Sequence, residues 1–244
     1  MAEPRTVVLI SANSEWRAVR EILSPSDVQS TPLGETFTAA LRTHALSKVE
    51  GPHTRPEQSR RAARFFHGGW GKISAAATAQ YVIDHFRPNL LVNLGTCGGF
   101  AGRIATGTVI LVTKTIVYDI LEQMGDADEA IAHYATELDL SWLKDGLPST
   151  VSGLLLSADR DIVKEDIPML IEKYDAVAAD WESGAIAWVA KKNGVRCLIL
   201  RGVTDLVSPA GGEAYGNIEV FHTRTREIMK TLIEQLPNWL AASR

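Results

Sequence analysis

Short, uninterrupted apolar runs recur along this chain, and each ends in polar or glycine-rich residues. Residues 7–10, 90–94 and 195–203 are examples. Such runs are typical of strands buried on both faces of a sheet, because half-exposed strands alternate apolar with polar residues. Segments with helical spacing alternate with the runs, and residues 218–236 carry the clearest apolar stripe. We therefore predict an α/β fold with a single domain over residues 1–244, in which helices flank a mostly parallel, mixed central sheet.

The composition argues against two classes of protein. Lysine and arginine total 25 and aspartate and glutamate total 29, so the formal net charge is -4, which does not suit a nucleic-acid binder with a broad basic face. The uncharged stretch over residues 89–102 is too short and too rich in glycine to span a bilayer. Cys97 and Cys197 lie in apolar runs, as buried thiols of a reducing compartment do. Since no apolar signal segment follows Met1, we expect a cytoplasmic protein without a nucleic-acid or membrane partner.

In sheets of this kind, ligands bind at the carboxyl ends of the strands. The residues just after the predicted strands are therefore the candidates for a site. These segments are residues 11–15, 67–74, 95–99, 157–161 and 204–208.

Two familiar cofactor motifs are incomplete in residues 69–74. The sixth position of a dinucleotide-binding motif is serine here, and no acidic residue ends a strand about 20 residues later. A P-loop lacks its upstream glycine and the hydroxyl residue after Lys72. The six histidines never occur at metal-ligand spacing, and the sequence has no Cys-x-x-Cys. A tight strand-to-helix turn explains residues 69–74 better, and we predict neither an organic cofactor nor a metal.

Three positions are candidates for the site, and each also has an explanation that requires no ligand. Thr96 lies in a Gly-Thr-Cys-Gly-Gly turn, which either presents N–H groups and a hydroxyl to a ligand or needs its glycines only for the backbone. Glu182 begins a helix, where the helix dipole favours a carboxylate in any protein. Asp205 directly follows a buried strand, amid apolar neighbours. It is either a general acid with a raised pKa or an ordinary N-cap or loop carboxylate.

Two segments together resemble a known family. Residues 69–99, GWGKISAAATAQYVIDHFRPNLLVNLGTCGG, resemble the glycine–lysine turn, alanine-rich helix and glycine loop of the nucleoside phosphorylase/nucleosidase superfamily. Residues 177–208, VAADWESGAIAWVAKKNGVRCLILRGVTDLVS, resemble its segment with a glutamate followed by Arg-x-x-[ST]-Asp. Residues 107–112 resemble a strand that lies between them. The chain is most similar to the methylthioadenosine/S-adenosylhomocysteine nucleosidases of this superfamily, and the similarity is weakest over residues 24–62.

The resemblance assigns roles by position. Asp205 matches the aspartate that protonates purine N7 so that the base can leave, and Glu15 matches the glutamate that activates the attacking water. Glu182 matches the glutamate that accepts hydrogen bonds from the ribose hydroxyls, which suits a carboxylate facing a diol. The further matches to residues of the substrate site are Thr96, Gly98, Trp181, Arg201 and Thr204.

Two positions depart from the family pattern. The nucleosidases have Ala-x-x-x-Glu after the first strand, whereas only two residues separate Ala12 from Glu15. Either the loop is one residue shorter here, or Trp16 takes the general-base position. Asp161 stands where the family carries an aromatic residue that stacks on adenine, which leaves the identity of the base open.

The positions that hold phosphate in related phosphorylases are also different here. Asn93 stands where many of them carry an arginine, and residues 11–14 replace the loop that carries a second one. Arg17 belongs to the opening helix, so the arginines within residues 55–64 are the remaining source of a phosphate contact. These features favour water as the nucleophile.

The resemblance therefore implies hydrolysis of the N-ribosidic bond of a purine nucleoside, such as 5′-methylthioadenosine or S-adenosylhomocysteine, without a cofactor. A nucleoside phosphorylase and a non-catalytic nucleoside-binding protein are the alternatives. The resemblance also implies a homodimer, for which Trp70, Tyr118 and Met124 are the candidate interface residues.

Overall fold

A computed structural model of the chain describes residues 5–41, 61–144 and 147–243. Within these ranges helices and strands alternate as the apolar runs predict, and the fold is of the α/β class. The helices are α1 (Asn13–Leu23), α2 (Lys72–Phe86), α3 (Ala127–Tyr134), α4 (Ile167–Tyr174), α5 (Ser183–Lys192) and α6 (Ile218–Ala242). The strands are β1 (Thr6–Ile10), β2 (Gln29–Thr31), β3 (Gly34–Leu41), β4 (Arg61–His67), β5 (Leu90–Phe100), β6 (Val109–Val117), β7 (Thr136–Glu137), β8 (Val151–Ser157), β9 (Ala178–Asp180), β10 (Arg196–Ser208) and β11 (Gly211–Gly212).

The strands of the described ranges form one mixed sheet in the order β11-β10-β6-β8-β9-β5-β1-β4-β3-β2, with β7 beside β6. Five strand pairings are parallel. Six are antiparallel. The prediction of a mostly parallel sheet is therefore wrong in part. An apolar run reports burial on both faces of a strand, but it carries no information about the direction of the neighbouring strand.

Part of this sheet closes into a barrel. Because β10 pairs with both β6 and β5, the strands β5, β10, β6, β8 and β9 form a closed ring. The strands β1, β4, β3 and β2 extend from β5 as an open wing. Closure removes the free edges of the ring and curves the carboxyl ends of several strands toward one point.

Both faces of the sheet are buried, as the apolar runs predict. Along β1, Val8 and Ile10 enter a cluster with α1 and α6, whereas Val7 and Leu9 enter a cluster with α2 and α5. A third cluster lies under α4. Among the helices described, none has the length and apolar character needed to cross a membrane.

The segment with the weakest sequence signal is described in part. Residues 24–60 predict loops with one or two strands, and β2 and β3 fall within them. The rest of that segment, residues 42–60, lies outside the described residues.

Candidate functional site

A cavity of about 590 Å³ opens where β1, β5 and β10 reach their carboxyl ends. This volume is within the usual range for sites that bind small molecules. The lining residues used below are Ala12, Glu15, Trp70, Thr96, Gly98, Arg160, Asp161, Ile162, Trp181, Glu182, Thr204, Asp205 and Tyr215.

Glu15 enters the cavity from the first turn of α1. Its Oε1 accepts hydrogen bonds from the Thr96 N–H at 2.6 Å and from the Thr96 hydroxyl at 2.8 Å. Its Oε2 accepts from the Ala12 N–H at 3.2 Å. Trp16 instead packs into the core, where its indole N–H donates to Glu35 at 2.7 Å. Of the two residues, Glu15 is the one whose polar group faces the cavity.

Arg201 and Asp180 form a buried ion pair at the cavity wall, which Asp180 lines and behind which Arg201 lies. Arg201 Nε donates to Asp180 Oδ2 at 2.7 Å, and Nη2 donates to Asn93 Oδ1 at 2.6 Å. Asp180 also accepts from the Ser157 hydroxyl at 2.6 Å and from the Ser183 N–H. A buried charge is tolerated when it is paired and hydrogen-bonded in this way. The network therefore fixes the positions of β5, β8, β9 and β10 relative to one another.

Gly95 makes room for this network to approach Glu15. A Cβ atom at position 95 would lie 2.3 Å from Arg201 Nη1 and 2.9 Å from Glu15 Oε1. Both distances are shorter than a van der Waals contact, so any side chain here would push the two charged groups apart. The glycine is required by close approach.

Glu182 stands at the N-terminus of α5 and is buried. Its Oε1 accepts a hydrogen bond from the Gly71 N–H at 3.0 Å. Burial, with the negative charge of Asp180 nearby, raises the pKa of the Glu182 carboxyl well above the ordinary glutamate value. One oxygen is thus held by the protein, and the carboxyl group faces the cavity with capacity to accept further bonds.

Thr204 and Asp205 both line the cavity because β10 is irregular at this point. The ladder between β10 and β5 shifts register between Val203 and Asp205, as a β-bulge does. The Thr204 hydroxyl donates to Asp205 Oδ1 at 2.8 Å. Burial raises the pKa of the Asp205 carboxyl, and the bond from Thr204 opposes that rise. A carboxyl group with a raised pKa is suited to donating a proton.

The loop after β10 crosses the other end of the cavity. The Tyr215 hydroxyl donates to the Ile162 carbonyl at 2.9 Å and so joins this loop to the one after β8. Burial, together with the charges of Asp161 and Asp205, raises the pKa of Tyr215 to about 12. An aromatic ring and a second carboxylate therefore lie beside Asp205.

Two tryptophans form an aromatic wall on the cavity. The rings of Trp70 and Trp181 have centroids 5.4 Å apart and are tilted by 58°. Trp70 remains 58% exposed, so it covers the mouth of the cavity rather than its floor.

Comparison with known proteins identifies the family. The sequence profile of the phosphorylase superfamily matches residues 56–236. The chain belongs to the phosphorylase superfamily. It is 28% identical over 159 residues to the 5′-methylthioadenosine/S-adenosylhomocysteine nucleosidase of Maridesulfovibrio salexigens, covering 60% of this chain and 69% of that protein. It is 26% identical over 184 residues to the corresponding protein of Listeria welshimeri, covering 69% of this chain and 78% of that protein.

Solved structures of this superfamily share the fold. The Helicobacter pylori nucleosidase of the same name, with butyl-thio-DADMe-Immucillin-A, has a TM-score of 0.72 at 17% identity and covers 99% of each chain. The futalosine hydrolase of Helicobacter pylori has a TM-score of 0.70 at 17% identity and covers 97% of each chain.

The structure brings the predicted substrate-site residues of this superfamily member together. Those that line the cavity are Glu15, Thr96, Gly98, Trp181, Glu182, Thr204 and Asp205. Arg201 differs, because it is fully buried behind the wall and is held by Asp180 and Asn93. The roles of these residues stay predictions.

Asp180 and Tyr215 are not predicted at the site from the sequence, and one surface residue is placed wrongly. Asp180 has a weak signal, a second carboxylate two positions before Glu182, whereas Tyr215 lies in a loop with no pattern at all. The interface prediction for Tyr118 is wrong about its exposure, since this side chain is only 7% exposed. Arg160 packs over its ring at 5.2 Å, a contact from a distant loop. Met124, by contrast, is exposed as predicted.

Proposed function

We propose that this chain is a nucleosidase that hydrolyses the N-ribosidic bond of a purine nucleoside, with 5′-methylthioadenosine, S-adenosylhomocysteine or a related nucleoside as substrate. The observation that carries the proposal is the contrast between two carboxyl groups in one cavity. Glu15 accepts three hydrogen bonds from N–H and hydroxyl groups of the protein, whereas burial raises the pKa of Asp205. Two carboxyl groups in different environments are the usual acid and base of glycoside hydrolysis.

The steps follow from these positions. Asp205 donates its proton to N7 of the base as the C1′–N9 bond breaks, and the bonding electrons leave with the base. The sugar acquires oxocarbenium character while Glu182 accepts hydrogen bonds from its hydroxyls. Glu15 then removes a proton from water as the water oxygen bonds to C1′. Solvent returns a proton to Asp205 and removes one from Glu15.

The charges around the cavity support water rather than phosphate as the nucleophile. Glu15 and Asp161 both line the cavity, and their carboxylate charge would repel a phosphate dianion entering it.

Arg160, which lines the cavity, and Arg201, which lies behind its wall, are each paired with a carboxylate. Arg160 donates to Asp166 at 2.7 Å, and Arg201 donates to Asp180 at 2.7 Å. Of the arginines within residues 55–64, Arg61 donates to the Leu240 carbonyl and Arg64 lies 4.4 Å over the Phe86 ring. Arg55 and Arg60 lie outside the described residues.

Product analysis tests this proposal. The protein is incubated with 5′-methylthioadenosine, S-adenosylhomocysteine, adenosine, inosine and futalosine, with and without phosphate, and the products are separated by chromatography. We expect the free base and free (5′-substituted) ribose at a rate that does not depend on phosphate. Ribose 1-phosphate formed only when phosphate is present would establish a phosphorylase. Tight binding of a nucleoside without any product would establish a binding protein.

The base specificity rests on residues that differ from the family pattern. Asp161 takes the place of the stacking aromatic residue, and Tyr215 supplies a ring from the opposite loop. The aromatic wall of Trp70 and Trp181 suits a large apolar group at the 5′ position. We therefore include futalosine in the panel, since a futalosine hydrolase has a similar fold.

We further propose a cytoplasmic homodimer with one domain over residues 1–244. The exposed apolar residues Trp70, Ile73, Leu121 and Met124 support the dimer, because such side chains are typical of interface anchors. Light scattering at micromolar concentration tests it. A dimer of the parent that becomes monomeric in Met124→Glu is expected, whereas a parent that is a fully active monomer would contradict the proposal.

A further inference from the structure

Three loops meet at the first residue of α2, and those after β4 and β8 contribute Trp70 and Arg160 to the cavity lining. The Lys72 ammonium group forms an ion pair with Asp119, which follows β6, and lies 3.8 Å from Asp159 Oδ2, which follows β8. The Lys72 N–H also donates to Asp159 Oδ1 at 2.7 Å. Asp119 Oδ2 in turn accepts from the Asp159 N–H at 2.9 Å. The loops after β4, β6 and β8 are thus joined by a single triad of side chains.

This triad lies directly beside the group that holds Glu182. Gly71 precedes Lys72, and its N–H is the donor to Glu182 Oε1 at 3.0 Å. Gly71 has a φ of +86°, and a Cβ atom there would lie 3.2 Å from Asp159 Oδ1. The backbone at position 71 is therefore held in a left-handed conformation against the same aspartate that Lys72 contacts.

Helix stability does not explain a lysine at this position. The first turn of α2 contains no acidic residue, and a cation at a helix N-terminus opposes the helix dipole. The ion pair is also unlike an ordinary surface pair, because the Lys72 and Asp119 side chains are only 23% and 16% exposed. By comparison, Lys114 pairs with Glu137 at side-chain exposures of 37% and 77%.

We propose that Lys72 is a positioning residue for substrate binding: with Asp119 and Asp159 it holds the Gly71 N–H on Glu182 and so fixes the carboxyl group that receives the ribose hydroxyls. This inference rests on the proposed function for the role of Glu182, but the placement of Gly71 by Lys72 does not. Loss of the ammonium group releases the loop after β4, and Glu182 then loses its donor.

The kinetic test compares Lys72→Met with Lys72→Arg and with the matched control Lys114→Met. Because Glu182 contacts the ribose in both the ground state and the transition state, Lys72→Met raises KM about tenfold or more with a smaller change in kcat. Lys72→Arg keeps the charge and recovers most of the loss, and Lys114→Met matches the parent. Parent values of KM in Lys72→Met would overturn the proposal.

The pH profile gives a readout that a general loss of stability does not move. Glu182 faces Asp180 and Glu15, whose charges raise its pKa, and Arg201, whose charge lowers it; the hydrogen bond from the Gly71 N–H lowers it as well. Without that donor the pKa of Glu182 rises further. If the ionised form binds ribose, the rising acid-side limb of kcat/KM shifts to higher pH in Lys72→Met. An unshifted limb contradicts the mechanism.

Amide hydrogen exchange separates failure of this inference from failure of the proposed function, because it needs no substrate. Exchange over residues 68–72 accelerates at least tenfold in Lys72→Met, since the Gly71 and Lys72 N–H groups lose their fixed acceptors. Asp119→Asn serves as the second variant if Lys72→Met fails to fold, and it is expected to act in the same direction. Unchanged exchange in a folded variant overturns the placement of Gly71 by Lys72. Faster exchange in a protein without nucleoside turnover supports it and refutes only the proposed activity.

Discussion

Glu15 and Asp205 line the same cavity, but the protein holds them in different ways. Glu15 accepts three hydrogen bonds, one from the Ala12 N–H just before α1 and two from Thr96 within β5. Asp205 accepts from the Thr204 hydroxyl, and burial raises its pKa against the opposing effects of Thr204, Arg224 and the Ala214 N–H. It lies beside a loop that Tyr215 joins to Ile162. A group that orients water gains from being immobile. A group that gives up a proton gains from burial, because burial keeps it protonated.

Asp205 lies at the end of the cavity where the proposed mechanism places the base, which we call the base end. A substitution there is expected to have the largest effect on turnover. In Asp205→Asn the amide has no proton to supply to the leaving base, so kcat falls by about two to four orders of magnitude. The thermal midpoint stays at or above that of the parent, since a buried carboxyl with a raised pKa is replaced by a neutral group. Steady-state kinetics and calorimetry measure the two quantities. Turnover within a few-fold of the parent would remove Asp205 from the mechanism.

At the sugar end, Glu15→Gln and Trp16→Phe distinguish the two residues that compete for the general-base position. Glu15→Gln lowers kcat by roughly two orders of magnitude with little change in KM, because water activation matters chiefly in the transition state. Glu182→Gln changes KM more than Glu15→Gln does. Trp16→Phe leaves kcat near the parent value and lowers stability, since Trp16 packs in the core. The opposite pattern would show that the loop after β1 is placed wrongly.

A buried ion pair and a half-exposed ion pair near the cavity should also differ in their contribution to the free energy of unfolding. Asp180→Asn breaks an ion pair whose side chains are 1% and 3% exposed, and leaves Arg201 buried without its carboxylate. We expect a loss of about 3–5 kcal/mol in the free energy of unfolding, measured by urea denaturation. Asp166→Asn removes the partner of Arg160 in a half-exposed pair and costs about 1 kcal/mol or less. Equal losses in the two variants would contradict the contrast.

The smallest effect is expected from the loop that crosses the base end. Tyr215→Phe keeps the ring and removes the hydrogen bond to the Ile162 carbonyl, worth about 0.5–1.5 kcal/mol. KM rises a few-fold, and the loop over residues 209–217 exchanges its amide protons faster. If exchange in that loop stays at the parent rate, this hydroxyl does not hold the loop in place.

The same contrast explains what the sequence predicts well. Thr96 and Asp205 directly follow apolar runs or lie in the glycine turn after one, Glu182 begins a helix, and the family resemblance covers all three; the structure places all three on the cavity. The strands β5 and β10 continue past these apolar runs, so Thr96 and Asp205 lie within them. The β-bulge that brings Thr204 and Asp205 to the same cavity has no local signal, and Thr204 is predicted from the resemblance alone.

Features made by distant contacts are the ones that the sequence does not predict. The barrel closes through the pairing of β10 with both β5 and β6. The sequence of a strand does not indicate whether the neighbouring strand runs parallel or antiparallel to it. Tyr118 is buried in the cluster under α4, with Arg160 over its ring, and the Tyr215 hydroxyl donates to a residue 53 positions earlier. Each depends on three-dimensional packing that periodicity does not encode.

A substitution of Gly95 would displace the charged groups of the site without disturbing the backbone. Its backbone is not in the left-handed region, so an alanine at position 95 would continue β5 without backbone strain. The conflict would arise entirely with the Arg201 guanidinium and the Glu15 carboxylate. A chain that kept every acidic residue of the cavity but gained one methyl group here would retain its fold while its charges moved apart. The presence of glycine at position 95 therefore indicates that Arg201 and Glu15 can take their positions, which the presence of the carboxylates alone does not.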